Sequence, residues 1–244
     1  MTKNREITEQ ELSNMRHDPS VRGNAVFLIL IVILLFAALS FAITQNWRGI
    51  DATATEEQAR LTAAELIQYG IGLRPVIDRM MLLDGVSDTN TSGAGILFSA
   101  AGADAAYGVP GAQAATELFH VGGGKARYQL PPPDACVSSC AYEFSGQYTV
   151  TGVGTNGNPE LVMLVIDVTL AVCEKANDLL NTGWSTIPAG GDLTLTRFSG
   201  SNYGGGSAIT LTGGSSEFVN KKAFCYRETG GTQRYIYLHV VRAR

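Results

Sequence analysis

One uninterrupted apolar run near the N-terminus constrains this chain more than any other feature. Ala25 to Ile43 form 19 uncharged positions, of which 14 are Val, Ile, Leu or Phe and only Ser40 is polar. As a helix the run would extend about 28 Å, close to the thickness of the hydrocarbon core of a bilayer. Its side chains would favour the bilayer by roughly 4 to 8 kcal/mol. The run therefore predicts a retained transmembrane helix over residues 24–45.

Two other interpretations of the run fit less well. A helix buried in a globular core carries polar positions on one face, and this run has none. A cleaved secretory signal has a shorter apolar stretch and small residues at its exit, whereas Thr44 to Arg48 reads TQNWR.

The charges on either side of the run predict its orientation. Basic residues in short loops favour the cytoplasmic side of a membrane. Four basic residues precede the run and two follow it: Lys3, Arg5, Arg16 and Arg22 before, and Arg48 and Arg60 after. We therefore expect residues 1–23 to be a cytoplasmic leader and the chain after the helix to lie outside the cytoplasm.

The cysteines fit this orientation, because all four lie in the C-terminal part: Cys136, Cys140, Cys173 and Cys225. An even number of cysteines on the exported side of a membrane is typical of disulfides. Three pairings are open, and we favour Cys136–Cys140 with Cys173–Cys225. The spacing of the first pair would also suit half of a zinc site, but no histidine lies near the other cysteines in the sequence.

The residues after the apolar run divide into a helical and a β-rich part. Residues 46–84 predict an amphipathic continuation of the helix, and residues 85–244 an exported, disulfide-bearing head. The fold class expected is α+β, with a long N-terminal helix packed on a mainly antiparallel β-sheet. The apolar stripe of the helix recurs at steps of three and four residues: Ala59, Ala63, Leu66, Gly70, Leu73, Ile77 and Met80.

The head has strand-like and helical patterns in a definite order. We expect strands over 147–153 and 161–166, a helix over 168–180, and a hairpin of 222–228 with 233–241. Weaker strand patterns occur at 96–98, 126–130 and 193–196.

No motif in the chain points to a reaction. Gly152–Gly157 matches a dinucleotide fingerprint but lacks the helix that must follow, and Gly122–Lys125 lacks the first glycine of a phosphate loop. Asp88–Gly93 resembles the first half of a calcium loop, although Ser99 stands where the last ligand belongs. The net charge of −4 provides no basic surplus for nucleic acid. We expect no catalytic, cofactor-binding or metal-binding residues, while an active site assembled only in three dimensions stays an open alternative.

The order of polar leader, glycine, apolar helix, amphipathic continuation and disulfide-bearing β domain resembles the type IV pilins and type II secretion pseudopilins. The leaders of that family end in glycine, as this one does at Gly23. The resemblance implies cleavage between Gly23 and Asn24 by a prepilin peptidase. Family members usually carry Glu at the fifth mature position, where this chain has Leu28. Certain minor subunits also lack that glutamate.

The resemblance implies a structural subunit rather than an enzyme. Its location would be the bacterial cytoplasmic membrane, with a single span and the head in the periplasm or outside the cell. Its partners would be membrane lipid, like subunits bound through the N-terminal helix, and the prepilin peptidase. The alternative is a single-pass anchored binding or adhesion domain that forms no filament.

Overall fold

The protein is described here from a computed structural model. It describes residues 21–87, 95–155, 157–193, 195–200, 203, 209–211, 216–230 and 233–244; in the first helix, side chains are described for 26–41 and from Thr55 onward. These residues form an α+β fold, as the sequence predicts. Its elements, in chain order, are α1 Val21–Leu82, β1 Tyr142–Thr149, β2 Glu160–Val168, α2 Leu170–Leu179, β3 Ala189–Gly190, β4 Ile209–Thr210, β5 Ala223–Glu228 and β6 Tyr235–Arg242.

The chain divides into two compact units, one up to Ala54 and one from Thr55 onward. The amphipathic part of α1, which the sequence analysis separates from the head, therefore belongs to the same unit as the sheet. Short 3-10 turns at Ala105–Tyr107, Pro133–Ala135 and Ser216–Phe218 complete the second unit.

The second unit is built on a six-stranded mixed sheet of order β3-β5-β6-β2-β1-β4. The four central strands pair antiparallel, and the two-residue strands β3 and β4 add parallel pairs at the two edges. The predicted hairpin is present as β5 and β6. Strand β1 begins at Tyr142, five residues before the predicted start, and residues 96–98 form a single isolated bridge, from Leu97 to Glu117. Residues 126–130 and the described part of 193–196 form no strand.

Both faces of the sheet are buried, because alternate side chains of its central strands point to opposite faces. One face packs under the C-terminal half of α1 and under α2, and includes Met163 and Tyr237. The other face packs under the loops of the head. As predicted, alternate residues of β6 line this second face: Ile236, Leu238 and Val240.

Helix α2 begins where a threonine satisfies its first turn. The Thr169 hydroxyl accepts the backbone N–H of Val172 at 3.4 Å, as N-cap residues do. Its buried positions recur at helical spacing and face the sheet: Val172, Cys173, Ala176 and Asn177.

Candidate functional site

The apolar run lies in the first unit, where α1 exposes it. Every described side chain from Val26 to Phe41 is exposed, and Phe36 reaches 71%. Such a stretch in water forfeits the free energy that burial of its side chains would yield. Among the residues described, no helix is both long and apolar enough to span a membrane. The predicted transmembrane helix over 24–45 extends beyond the described side chains at both ends, and it stays a prediction.

The predicted processing site, Gly23 and Asn24, lies near the start of α1. Both residues have helical backbone, but their surroundings are outside the described part of the chain. Residues 1–20 of the leader also lie outside the described part of the chain. The calcium-like segment, residues 88–93, falls within another stretch that is not described, residues 88–94.

The amphipathic half of α1 packs on the sheet as its periodicity predicts. All seven stripe residues are buried, and Ala63, Leu66, Ile77 and Met80 are fully inaccessible. Gly70 is required by close packing, since a Cβ there would lie 2.6 Å from Cγ of His239. The helix is therefore fixed to the head along its whole apolar face.

Aromatic and polar contacts add to the packing of this helical segment at its middle and at its C-terminal end. Tyr69 stacks on Tyr142 of β1 with ring centroids 4.2 Å apart. Near the helix C-terminus, Arg79 donates hydrogen bonds to the carbonyl oxygens of Gly123 and Gly124. The carbonyl groups of the glycine-rich segment Gly122–Lys125 thus accept hydrogen bonds from a side chain at the end of α1.

Both disulfides that the sequence analysis favours are present in the structure. Cys173 of α2 is bonded to Cys225 of β5, with Cα atoms 5.3 Å apart. One helical turn further, the Asn177 amide donates to the Cys225 carbonyl at 2.9 Å and accepts its N–H at 2.8 Å. Cys225 is therefore fixed to α2 twice, once covalently and once through its backbone.

The other disulfide, Cys136–Cys140, closes a short loop with Cα atoms 6.2 Å apart. This loop lies along the end of β2, where the Val137 N–H donates to the Asp167 carbonyl at 2.9 Å. The Ser138 hydroxyl also bonds the Asp167 carboxylate at 3.1 Å. No cysteine thiol is free.

The edge strands β3 and β4 are only two residues long, and beside them β1 and β5 have outward-facing backbone groups that bond to other parts of the chain. On β1, the Tyr107 hydroxyl accepts the N–H of Phe144 at 2.6 Å, and the Phe198 N–H donates to the Phe144 carbonyl at 2.8 Å. On β5, Asn177 occupies the backbone groups of Cys225. Backbone groups that would pair with a further strand are thus already bonded at these points.

A polar cluster around Glu143 connects the loop at residues 104–107 to β1. Arg197 donates two hydrogen bonds to the Glu143 carboxylate, each 2.9 Å, and forms an ion pair with Asp104 at 2.9 Å. The Tyr107 hydroxyl donates to the same carboxylate at 2.7 Å. Hydrogen bonding to Glu143 raises the pKa of Arg197, and burial raises that of Tyr107. Sequence reasoning did not find this cluster, because Tyr107 and Arg197 lie 36 and 54 residues from Glu143 in the chain.

The other candidate motifs have structural roles. Gly152 to Gly157 lies in the turn between β1 and β2, where Gly152, Gly154 and Gly157 have positive φ angles. In the part of the chain that the structure describes, no group of three or more His, Cys, Asp or Glu residues is placed to hold a metal ion.

Buried carboxyl groups are a second feature that sequence reasoning missed. Glu117 accepts the backbone N–H groups of Gly111 and Gln113, at 2.8 and 3.1 Å, and so organises its loop. Burial opposes ionisation of Glu117, but these hydrogen bonds outweigh it and lower its pKa. Glu160 is buried at the start of β2 and accepts one hydrogen bond from Val150.

Comparisons with protein-family models, with curated proteins and with solved structures found no match to this chain. Two structural features bear on what the protein does. One is the exposed apolar part of α1, and the other is the head, which is cross-linked by two disulfides.

Proposed function

We propose that this protein is a pilin-like or pseudopilin-like structural subunit of the bacterial cytoplasmic membrane, with one N-terminal span and an exported head. The observation that carries the proposal is the contrast along α1. Side chains from Val26 to Phe41 are exposed, whereas the apolar stripe after Thr55 is buried beneath the head. The exposed part needs lipid or like subunits around it, and the buried part belongs to a folded domain.

The bonded backbone groups of β1 and β5 support assembly through the helix rather than through strands added to the head. A second copy could add a strand only where backbone N–H and C=O groups are free. At Phe144 and Cys225 these groups are bonded within the chain. The long apolar surface of α1 is therefore the surface through which like subunits would associate.

The disulfides support the export of the head. Paired cysteines persist in oxidising compartments such as the bacterial periplasm and the cell surface. With the leader in the cytoplasm, residues 46–244 would lie in such a compartment and 24–45 would span the membrane.

Leu28 favours a minor or initiating subunit over the main component of a long filament. In the family that this chain resembles, glutamate at this position neutralises the N-terminal amine of a neighbour during assembly. The same leucine favours the second candidate function, a single-pass anchored binding or adhesion domain. The two candidates differ in processing after Gly23 and in helix–helix contact.

Processing is tested by coexpressing the full chain with a prepilin peptidase and determining the N-terminal residue of the product. We expect Asn24 at the new N-terminus. Gly23→Val should block the cleavage because it adds a branched side chain beside the scissile bond, whereas the control Gly49→Val should be cut normally. An intact N-terminus in the wild-type protein would favour the anchored-domain candidate.

Assembly is tested by cross-linking in native membranes. Single cysteines introduced at Ile31 and Leu34 report on the apolar run, because all native cysteines are in disulfides. Mild oxidation should give dimers, and a bifunctional thiol reagent should give a ladder when both positions are substituted. The control is the same protein diluted in detergent, where neighbours separate. Monomers alone in the membrane would contradict assembly.

A further inference from the structure

A cavity of about 410 Å³ lies in the second unit between α1, the end of α2, and strands β5 and β6. Its walls include Ile71 and Leu180 from the two helices and Val240 from β6. Ile71 is 58% exposed, so an apolar side chain stands open beside the cavity. The volume is in the range of small-molecule sites.

The charged side chains that line this cavity all carry positive charge. They are Arg74 of α1 and the consecutive Lys221 and Lys222 before β5; among the described residues, no acidic side chain lines it. The Lys221 ammonium is held by the Thr182 carbonyl at 3.0 Å, which leaves two of its hydrogens for a ligand. Among the described residues, Arg74 pairs with Asp78 at an Nε–Oδ2 distance of 3.9 Å.

A buried histidine lies beside these cations. His239 lines the cavity and is 6% exposed, with its Nδ1 3.0 Å from the hydroxyl of Tyr237. His239 and the fully buried Tyr237 share this hydrogen bond, and the tautomer of the ring sets which of the two donates. Burial, followed by the charge of Arg74, lowers the pKa of His239 to about 4, which keeps the ring neutral at pH 7.

From this arrangement we infer that the cavity binds a phosphate monoester with a small apolar group. A dianionic phosphate matches three cations, and the arginine fork suits two of its oxygens. The apolar part of the ligand would contact Ile71, Leu180 and Val240. This site lies within the second unit and does not depend on the proposed assembly.

Phenyl phosphate is the probe, titrated calorimetrically into the full chain in a non-ionic detergent. We expect saturable binding that weakens with salt, and none with phenol, which has the same ring without the charge. The double variant Arg74→Gln, Lys222→Gln should weaken binding by about tenfold or more. The matched control Arg227→Gln removes an exposed cation from β5 outside the cavity, and its affinity should stay within about twofold of wild type.

A second arm distinguishes a free ester from a phosphate carried by lipid. The titration is repeated in nanodiscs of phosphatidylcholine with and without phosphatidic acid, whose headgroup is a phosphate monoester. If phosphatidic acid competes with the probe, the probe should bind more weakly in its presence, and the double variant should abolish this competition; the cavity is then assigned to lipid phosphate. If the probe binds equally in both kinds of nanodisc, the cavity is assigned to a soluble ester. No saturable binding, or equal affinity in the double variant and wild type, would overturn the inference.

Discussion

The buried carboxyl group of Glu160 makes the free energy of unfolding depend on pH. Its Oε2 atom accepts the backbone N–H of Val150 at 2.9 Å, while Oε1 has no hydrogen-bond partner in the described structure. Burial disfavours the charged form and outweighs the hydrogen bonds from the N–H groups of Val150 and Glu160 itself. The pKa of Glu160 is therefore raised from 4.5 to about 7.

The sign and size of the effect follow from proton linkage. Because the folded protein binds this proton more tightly than the unfolded chain does, the contribution to stability is complete below the unfolded pKa of 4.5. It is lost as the pH rises through about 7. One pKa unit corresponds to about 1.4 kcal/mol, so the full loss amounts to about 3 kcal/mol.

Glu160→Gln tests this reasoning, because glutamine keeps the shape of the protonated acid and stays neutral. Urea unfolding followed by tryptophan fluorescence, with disulfides intact, gives the free energy of unfolding at about pH 5 and pH 8.5. His239 acts in the opposite sense, since its lowered pKa reduces stability as the pH falls. We therefore compare the free energy of unfolding of the variant with that of the wild type at each pH, because the effect of His239 is the same in both proteins.

Between about pH 5 and pH 8.5, the free energy of unfolding of the variant should rise by about 2 to 3 kcal/mol relative to that of the wild type. The control Glu57→Gln removes an exposed carboxylate of α1 and should show no such change. Two results would refute the assignment of a buried, protonated Glu160. One is a relative free energy of unfolding that stays constant within about 0.5 kcal/mol, and the other is a wild type that becomes more stable relative to the variant at high pH.

Four further predictions follow from the same structure. Asn177→Ala should lower the free energy of unfolding by about 2 kcal/mol, because the buried N–H and C=O of Cys225 lose their partners; urea unfolding measures it, and a loss below about 0.5 kcal/mol would contradict it. Gly70→Ala should cost about 1 to 3 kcal/mol through its clash with His239, whereas Gly72→Ala, which meets open space, should be neutral or stabilising in the same assay. Leu34→Asp should abolish membrane retention in a fractionation assay, while Leu28→Glu should leave it intact and aid incorporation; retention of the Leu34 variant would argue against a membrane span. An alkaline phosphatase fused to the C-terminus should be active and a fluorescent protein that folds only in the cytosol should stay dark, and the reverse pattern would contradict the orientation.

The parts of the fold that could be predicted from sequence are those with a local period. In the helical stripe from Ala59 to Met80, the apolar side chains recur with the period of the helix. In β6 they alternate with the period of the strand. The pairing of Cys173 with Cys225 could be predicted for a related reason, because the sequence patterns of the helix and of the strand that carry them are each recognisable.

The parts that could not be predicted depend on contacts between distant residues. Glu143, Arg197 and Tyr107 meet only after the loops of the head have folded over β1. The two-residue strands β3 and β4 are too short to have a period, and their pairing partners lie in β5 and β1. The cavity near His239 likewise combines α1 with β6, which are far apart in the chain.

The Cys173–Cys225 bond encloses 51 residues between its two cysteines, since their sequence separation is 52. A protease that cuts the chain once anywhere in this enclosed segment therefore produces no free fragment. Both pieces stay joined through the disulfide, and β5 still pairs with β6 in the core of the sheet. A second unit nicked at an exposed position such as Asn181, between α2 and β5, would thus remain a single molecule until the disulfide is reduced.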